Sequence, residues 1–321
     1  MNTPIPNQKY EAQGQMLANK VKKKYQHLRR KYARQGLAVF RLYDWDIPEI
    51  RAVVDWYDGH LVIAEYQRDQ TDENWLPVMA THVGRALNIP EDNIHLKLRK
   101  AGIKDGQRYE RIDYTDRKIP MQERDLKFYI NPDDYVDTGL FSDHRNTRLM
   151  VRELAKDKKF LNLYCYTGAF TCYAAKGGAS QTVSVDRSQT SIRWAKENLE
   201  LNDLFNENHI LIQEDTLAFL KTALPQYSNF DLAVVDPPSY STTQVNGEHF
   251  DIAKNHPEML NRVFVLMNRG ATVFFSTNHQ NFDLKTSRLI VTDIKEITEK
   301  TIPEDYVNKR KQIHRCWEIT I

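Results

Sequence analysis

Cysteine is scarce here: three residues in 321, an odd number with no paired spacing. That excludes a disulfide framework and the common zinc motifs. The chain reads as one for a reducing, cytoplasmic compartment. No apolar stretch approaches the roughly 20 residues that span a bilayer. The first residues are polar and then basic, without the apolar core of a signal peptide. No internal repeat or low-complexity tract stands out. The G-x-G-x-x-G dinucleotide fingerprint is missing as well. Only Gly168 marks the corresponding turn, which leaves a pyrophosphate without the close backbone approaches it needs.

What is present is ordinary in amount and uneven in placement. Hydrophobic content of 41% and charged content of 27% suit a globular chain long enough for two domains. Net charge is only +2, yet residues 1–34 hold nine Lys/Arg and one Glu, a local +8 that leaves −6 for the rest. Lys20, Lys22, Lys23, Lys24, Arg29, Arg30, Lys31 and Arg34 accompany Val21, Tyr25, Leu28 and Tyr32 at helical spacing. The spacing predicts a docked amphipathic helix with a basic face for phosphates. A charge run more often marks a merely solvated face, so the helix alone identifies no partner.

Residues 37–66 alternate apolar runs with turn signals such as Asp58-Gly59, which predicts a meander. Apolar residues over 73–88 recur at helical spacing. Ile94–Leu98 and Leu126–Ile130 read as strands, and 101–124 as a polar loop or hairpin. These pieces predict three parts: a basic helix over 1–35, a small α+β domain with an antiparallel sheet over 36–135, and an α/β domain over 136–321. In the last part strands at 159–164, 181–186, 208–213, 230–235 and 271–276 alternate with helices, which predicts a doubly wound sheet. Ile290–Ile297 and His314–Ile321, with no helix predicted between them, suggest an antiparallel closing hairpin.

The strand 230–235 runs straight into Asp236-Pro237-Pro238-Ser239-Tyr240. Two prolines stop a strand sharply and stiffen the loop beyond it. Ligands of such sheets bind just outside the carboxyl ends of the strands. A rigid loop there, opened by a carboxylate and closed by an aromatic, suits a flat heterocycle. Asp186 ends the second strand, where an acid grips a ribose diol. Glu214-Asp215 ends the third, placed for an adenine edge. Helix caps are often Asp, so each acid alone is weak. Their recurrence on three successive strands describes a ribose, an adenine and no phosphate, as in S-adenosyl-L-methionine.

Asn162-Leu-Tyr-Cys-Tyr-Thr-Gly-Ala169, Val185-Asp186, Asp236-Pro-Pro-Ser239 and Asp137-Thr-Gly-Leu-Phe-Ser-Asp-His-Arg145 resemble class I (Rossmann-like) methyltransferases of ribosomal RNA. Phe40 to Asp44, Val53 to Tyr57 and Gln312 to Trp317 extend the resemblance over nearly the whole chain. It is nearest to the guanine-N7 methyltransferases of large-subunit ribosomal RNA, often half of a fused enzyme. The resemblance implies that Asp186, followed by Arg187 and Ser188, holds the ribose, and that Asp215, followed by Thr216, holds the adenine amine. It implies that Tyr164, Tyr166, Thr167, Gly168 and Ala169 wrap the methionine portion, with Phe141, Asp143 and Arg145 closing over the cofactor. It implies a ribosomal RNA substrate or its precursor, and no metal. Asn162 stands where class I enzymes usually carry an acid.

The target atom is read from a residue missing after the fifth strand. Forming 5-methylcytosine needs a thiolate that adds to the ring. In the resembling enzymes that cysteine comes after the fifth strand, where this chain reads Ser276-Thr277-Asn278-His279. Guanine N7 has an in-plane lone pair and no proton to lose, so alignment suffices, and Asp236 can stabilise the charge that arrives. An exocyclic amine, N2 of guanine or N6 of adenine, is the alternative target. An RNA-binding module with a degenerate pocket is another class, separated from an enzyme by cofactor binding.

Overall fold

The computed structural model describes residues 7–67, 69, 71–99, 111–245 and 248–321. The described residues divide into two compact units. The first holds those up to Arg99, with 111–125 and 130–138; the second holds 126–129 and 139–321. Of the expected polar segment 101–124, residues 101–110 lie outside the described residues.

In the first unit α1 (Gln8–Arg34) precedes β1 (Val39–Asp44), β2 (Ala52–Tyr57), β3 (His60–Tyr66), α2 (Trp75–Leu87) and β4 (Ile94–Arg99). Asn7 caps α1 by accepting from the Lys9 amide at 3.1 Å. Tyr10, Leu17, Val21, Leu28 and Tyr32 turn one face of α1 into a core shared with α2, Phe40, Leu42, Val54 and Ile63. The opposite face carries the basic residues. Lys20, Lys22, Lys23, Arg29, Arg30, Lys31 and Arg34 are exposed and Lys24 half-buried. The sheet order is β1-β2-β3-β4. The first three strands form the expected antiparallel meander. β4 corrects the expectation of an all-antiparallel sheet, since it pairs parallel with β3. The reason is the α2 crossover, which returns the chain to the end where β3 began. Beneath the meander, Arg41 grips Asp55 with two bonds of 2.8 and 3.0 Å.

β5 (Ile119–Glu123) and β6 (Leu126–Ile130) come next. The second unit then runs through α3 (Arg145–Leu154), β7 (Lys159–Leu163), α4 (Ala169–Lys176), β8 (Gln181–Asp186), α5 (Gln189–Leu201), β9 (His209–Gln213), α6 (Thr216–Thr222) and β10 (Phe230–Val235). It continues with β11 (Tyr240–Val245), β12 (Glu248–Asp251), α7 (Ile252–Val265), β13 (Met267–Thr277), β14 (Asp293–Glu296), α8 (Thr298–Thr301) and β15 (Arg315–Thr320). The sheet order is β14-β15-β13-β10-β7-β8-β9. The five strands from β13 to β9 run parallel. β15 is antiparallel to β13 and to β14, which gives the expected antiparallel closure.

The continuous apolar run of β10 now has its cause. Ala233 and Val235 pack on one face of the sheet among Leu161, Val183, Leu260 and Phe275. Leu232 and Val234 pack on the other with Phe160, Phe170 and Phe274. A strand covered on both faces needs apolar residues at every position. Two expectations need correcting. A one-turn helix, α8, lies between β14 and β15, because Pro303 stands just beyond it and stops it at one turn. The hairpin β11–β12 has no counterpart among the expected elements. Among the described residues, no helix is long and apolar enough to cross a membrane.

Candidate active site

In the second unit the strand order reverses between β7 and β10, and crevices form at such switch points. Both loops singled out by sequence start there. After β7 the chain turns tightly: Tyr164, Tyr166 and Gly168 all have positive φ, at 59°, 49° and 74°. At Gly168 a side chain would bring its Cβ to 2.8 Å from Ala195, so a tight helix–helix approach adds to the backbone demand. Thr167 is buried and donates to the Gly139 carbonyl at 2.6 Å. This bond anchors the loop through the side chain. The hydroxyl is drawn inward by a buried carbonyl that needs a donor.

Asp186, at the end of β8, closes the turn. Its Oδ2 accepts from the Tyr166 amide and its Oδ1 from the Ser188 amide, each at 2.9 Å. Burial raises its pKa above the ordinary carboxylate value, and the two amides pull it partly back. Each oxygen keeps a further lone pair, so the carboxylate can still receive a diol. Asp215 caps α6, its Oδ1 accepting from Leu217 and Ala218 at 3.0 and 3.1 Å. Ser188 caps α5, accepting from Ser191 at 3.2 Å. Arg187 donates to Ser241 at 3.3 Å. Thr216 is buried at the start of α6. Phe141 is 42% exposed and its ring lies 5.2 Å from that of Tyr166. These two aromatics sit beside the loop as a cover would. Acceptors for hydroxyls and an amine, under an open aromatic pair, fit an adenosyl group.

Arg145 departs from the expectation. Its guanidinium is buried in an ion pair with the fully buried Asp305, near the Tyr306 ring. A charge taken out of water needs a partner, and Arg145 meets that need structurally. Asn162 is equally internal: its amide donates to Thr171 at 2.9 Å.

The Asp236–Tyr240 loop is pinned from β13 and the segment after it. Ser276 donates to Asp236 Oδ1 at 2.6 Å, and Ser239 donates to Asn278 Oδ1 at 2.6 Å. Pro237 is buried and Pro238 half-buried. Tyr240 is 57% exposed, with its hydroxyl 3.5 Å from His279 Nε2. Ser276, Asn278 and His279 therefore face the loop across the crevice, in the stretch where a carbon methyltransferase would carry its cysteine.

Two residues escaped sequence reasoning, although both lie in segments that carry the family likeness. His144 is buried, with Nε2 3.5 Å from Asp236 Oδ2 and 3.6 Å from Asp143 Oδ2. His314 joins Thr301 at 3.0 Å to Asp143 at 3.1 Å. Asp143, His144 and His314 bring possible metal ligands within 4.8 Å of one another. The two rings, however, stack at 4.4 Å and 13°. Imidazole lone pairs lie in the ring plane, so nearly parallel rings cannot aim both at one ion. The cluster is a hydrogen-bonded stack. All three cysteines are buried and unpaired. Burial pushes each thiol well above its ordinary pKa.

Residues 45–287 match the model of a family described as S-adenosylmethionine-dependent methyltransferase. The chain belongs to that S-adenosylmethionine-dependent methyltransferase family, and S-adenosylmethionine is its cofactor. It is 38% identical over 307 residues to the Neisseria meningitidis protein named ribosomal RNA large subunit methyltransferase K, covering 94% of this chain and 86% of that one. It is 35% identical over 311 residues to the Psychromonas ingrahamii protein named ribosomal RNA large subunit methyltransferase K/L. That alignment covers 94% of this chain and 41% of the relative, so the chain spans less than half of the K/L protein. Its fold is similar to that of a methyltransferase solved with SAH (TM-score 0.74, 20% identity, 100% of this chain and 83% of that one). A methyltransferase from Streptococcus mutans is equally similar (TM-score 0.74, 19% identity, 96% of this chain and 81% of that one).

Proposed function

We propose that this protein transfers a methyl group to N7 of a guanosine in large-subunit ribosomal RNA or its precursor, in the cytoplasm. The observation that carries the reading is the Asp236–Tyr240 loop, which would receive the base. It presents a carboxylate, Asp236, held by Ser276, and an exposed aromatic, Tyr240. β13 and the segment after it offer Ser276, Asn278 and His279 where carbon methylation would need a thiol. The names of the Neisseria and Psychromonas relatives support the RNA substrate.

S-adenosylmethionine, when bound, supplies an electrophilic methyl group on a cationic sulfur. Asp186 would hold its ribose and Asp215 its adenine amine, with Phe141 and Tyr166 covering it. The protein needs no base for N7, because that nitrogen carries no proton. Its work is alignment and exclusion of water. Asp236 would lie near the charge that passes from sulfur to base and stabilise it there. Tyr240 would stack on a guanine turned out of its helix, offsetting an extrusion that costs a few kcal/mol. The basic face of α1 would grip phosphates, which add affinity without base choice.

N7-methylated guanosine opens and loses its base under reduction and aniline. Large-subunit RNA treated with the enzyme and cofactor should break at one enzyme-dependent guanosine. Methyl incorporation without that cleavage would move the target to an exocyclic amine.

A further inference from the structure

We propose that His144 is a positioning residue: its Nε2–H bridges Asp143 and Asp236 and fixes the Asp236 carboxylate for methyl transfer. The inference rests on the proposed role of Asp236 and deepens it.

Asp236 is bonded on one side and approached on the other. Its Oδ1 takes the Ser276 hydroxyl at 2.6 Å, while its Oδ2 lies 3.5 Å from His144 Nε2. The same nitrogen lies 3.6 Å from Asp143 Oδ2. Both neighbours are carboxylates, which accept when ionised, so the proton on a neutral His144 belongs on Nε2. The other nitrogen agrees, since Nδ1 is buried without a hydrogen-bond partner. An Nδ1–H there would leave a donor orphaned, and Nε2 would turn a lone pair toward two acids. The ring itself is held rigidly. It stacks on His314 at 4.4 Å and meets Phe170 edge-on at 5.8 Å. His314 is tied in turn to Thr301 and Asp143.

Burial lowers the pKa of His144 more than any single neighbour shifts it; Asp236 and Asp143 oppose the shift, and His314 and Arg148 add to it. The lowered pKa favours the neutral ring, in agreement with the tautomer that the geometry assigns. A carboxylate bonded to Ser276 at Oδ1 and faced by the His144 N–H at Oδ2 has less freedom to rotate, and alignment is what N7 transfer asks of the protein.

Two variants separate positioning from packing. His144→Phe keeps a ring to stack on His314 and removes the N–H. His144→Gln loses the ring and keeps a donor near the Nε2 position. The expected result is that His144→Phe lowers kcat on ribosomal RNA by about 10- to 100-fold while S-adenosylmethionine affinity stays within about twofold. His144→Gln should recover most of that loss. A Phe variant at least as active as the Gln variant would overturn the proposal, because the ring would then matter through packing alone. Should either variant fail to fold, long-range proton–nitrogen spectra of the unaltered protein decide. His144 is expected as the Nε2–H tautomer, and the Nδ1–H tautomer would refute the bridge. Asp236→Asn separates the two readings. A fully active Asp236→Asn removes the assumed role of Asp236 and this inference with it. An inactive Asp236→Asn beside a fully active His144→Phe refutes the inference alone.

Discussion

Replacing Asp186 by Asn tests the cofactor assignment more cleanly than replacing it by Ala. The carboxylate accepts two buried backbone amides, from Tyr166 and Ser188, at 2.9 Å each. Ala would orphan both and collapse the loop, so a loss of affinity would prove little. Asn keeps one oxygen for one amide and removes the charge that a ribose diol would meet. A charge-assisted hydrogen bond contributes about 1.5–3 kcal/mol. At about 1.4 kcal/mol per factor of ten, the dissociation constant should rise about 10- to 100-fold. Global stability should change less, because the native carboxylate is itself held at a cost by burial. Calorimetric titration with S-adenosylmethionine, beside urea unfolding of the same variant, measures both.

The pH dependence supplies an internal check. In the free protein the Asp186 pKa is raised, so the folded apo state holds its proton to a higher pH than the unfolded chain does. Its contribution to stability is therefore fully present below the unfolded pKa and is lost as pH rises through the folded one. Ribose hydroxyls donate to the ionised form, so binding pulls the pKa down and releases a proton. Affinity should climb as pH rises through the raised apo value and then level off. The Asn variant should lack that climb. An Asn variant that folds and binds within about twofold of the parent, with an unaltered pH profile, would refute the ribose role.

Neutralising four of the exposed residues Lys22, Lys23, Arg29, Arg30, Lys31 and Arg34 should weaken RNA binding broadly and reduce the salt slope by about 3 units, read from filter binding across a salt series. Cofactor affinity should not move; parent-like RNA binding at physiological salt would leave the helix only a solvated face. Replacing Cys165, Cys172 and Cys316 together by Ala or Ser should lower stability and leave transfer chemistry intact, and RNA containing 5-fluorocytosine should trap no covalent adduct on denaturing gels. An adduct would overturn the nitrogen target. Arg145→Ala should cost about 3–5 kcal/mol in urea unfolding, because it removes the buried ion-pair partner that faces Asp305. A stable variant with weakened cofactor binding would instead restore Arg145 to the cofactor cover.

How much of the fold and site could be read from the chain differs between its levels, for a physical reason. Period and punctuation depend on local sterics and on burial, and both are written in consecutive residues. β8 and β10 fall where apolar period and turn residues put them. β11 and β12 do not, because Tyr240–Val245 is mostly polar in sequence and offers no apolar run to read. The parallel pairing of β4 is a question of chain path, set by the α2 crossover and not by any residue in β4. Side-chain direction is less legible still. Phe141, Asp143, His144 and Arg145 are near neighbours in one motif, yet the structure sends them to different tasks. Phe141 stands open beside Tyr166, Asp143 receives His314, His144 turns to Asp236, and Arg145 pairs with Asp305. The short 3-10 turn over Ser142–His144 and the start of α3 rotate successive residues by about a third of a turn each. Partners far along the chain then decide what each one meets. A motif of this kind marks a place reliably, while the role of each residue within it depends on the remote segments that pack around it.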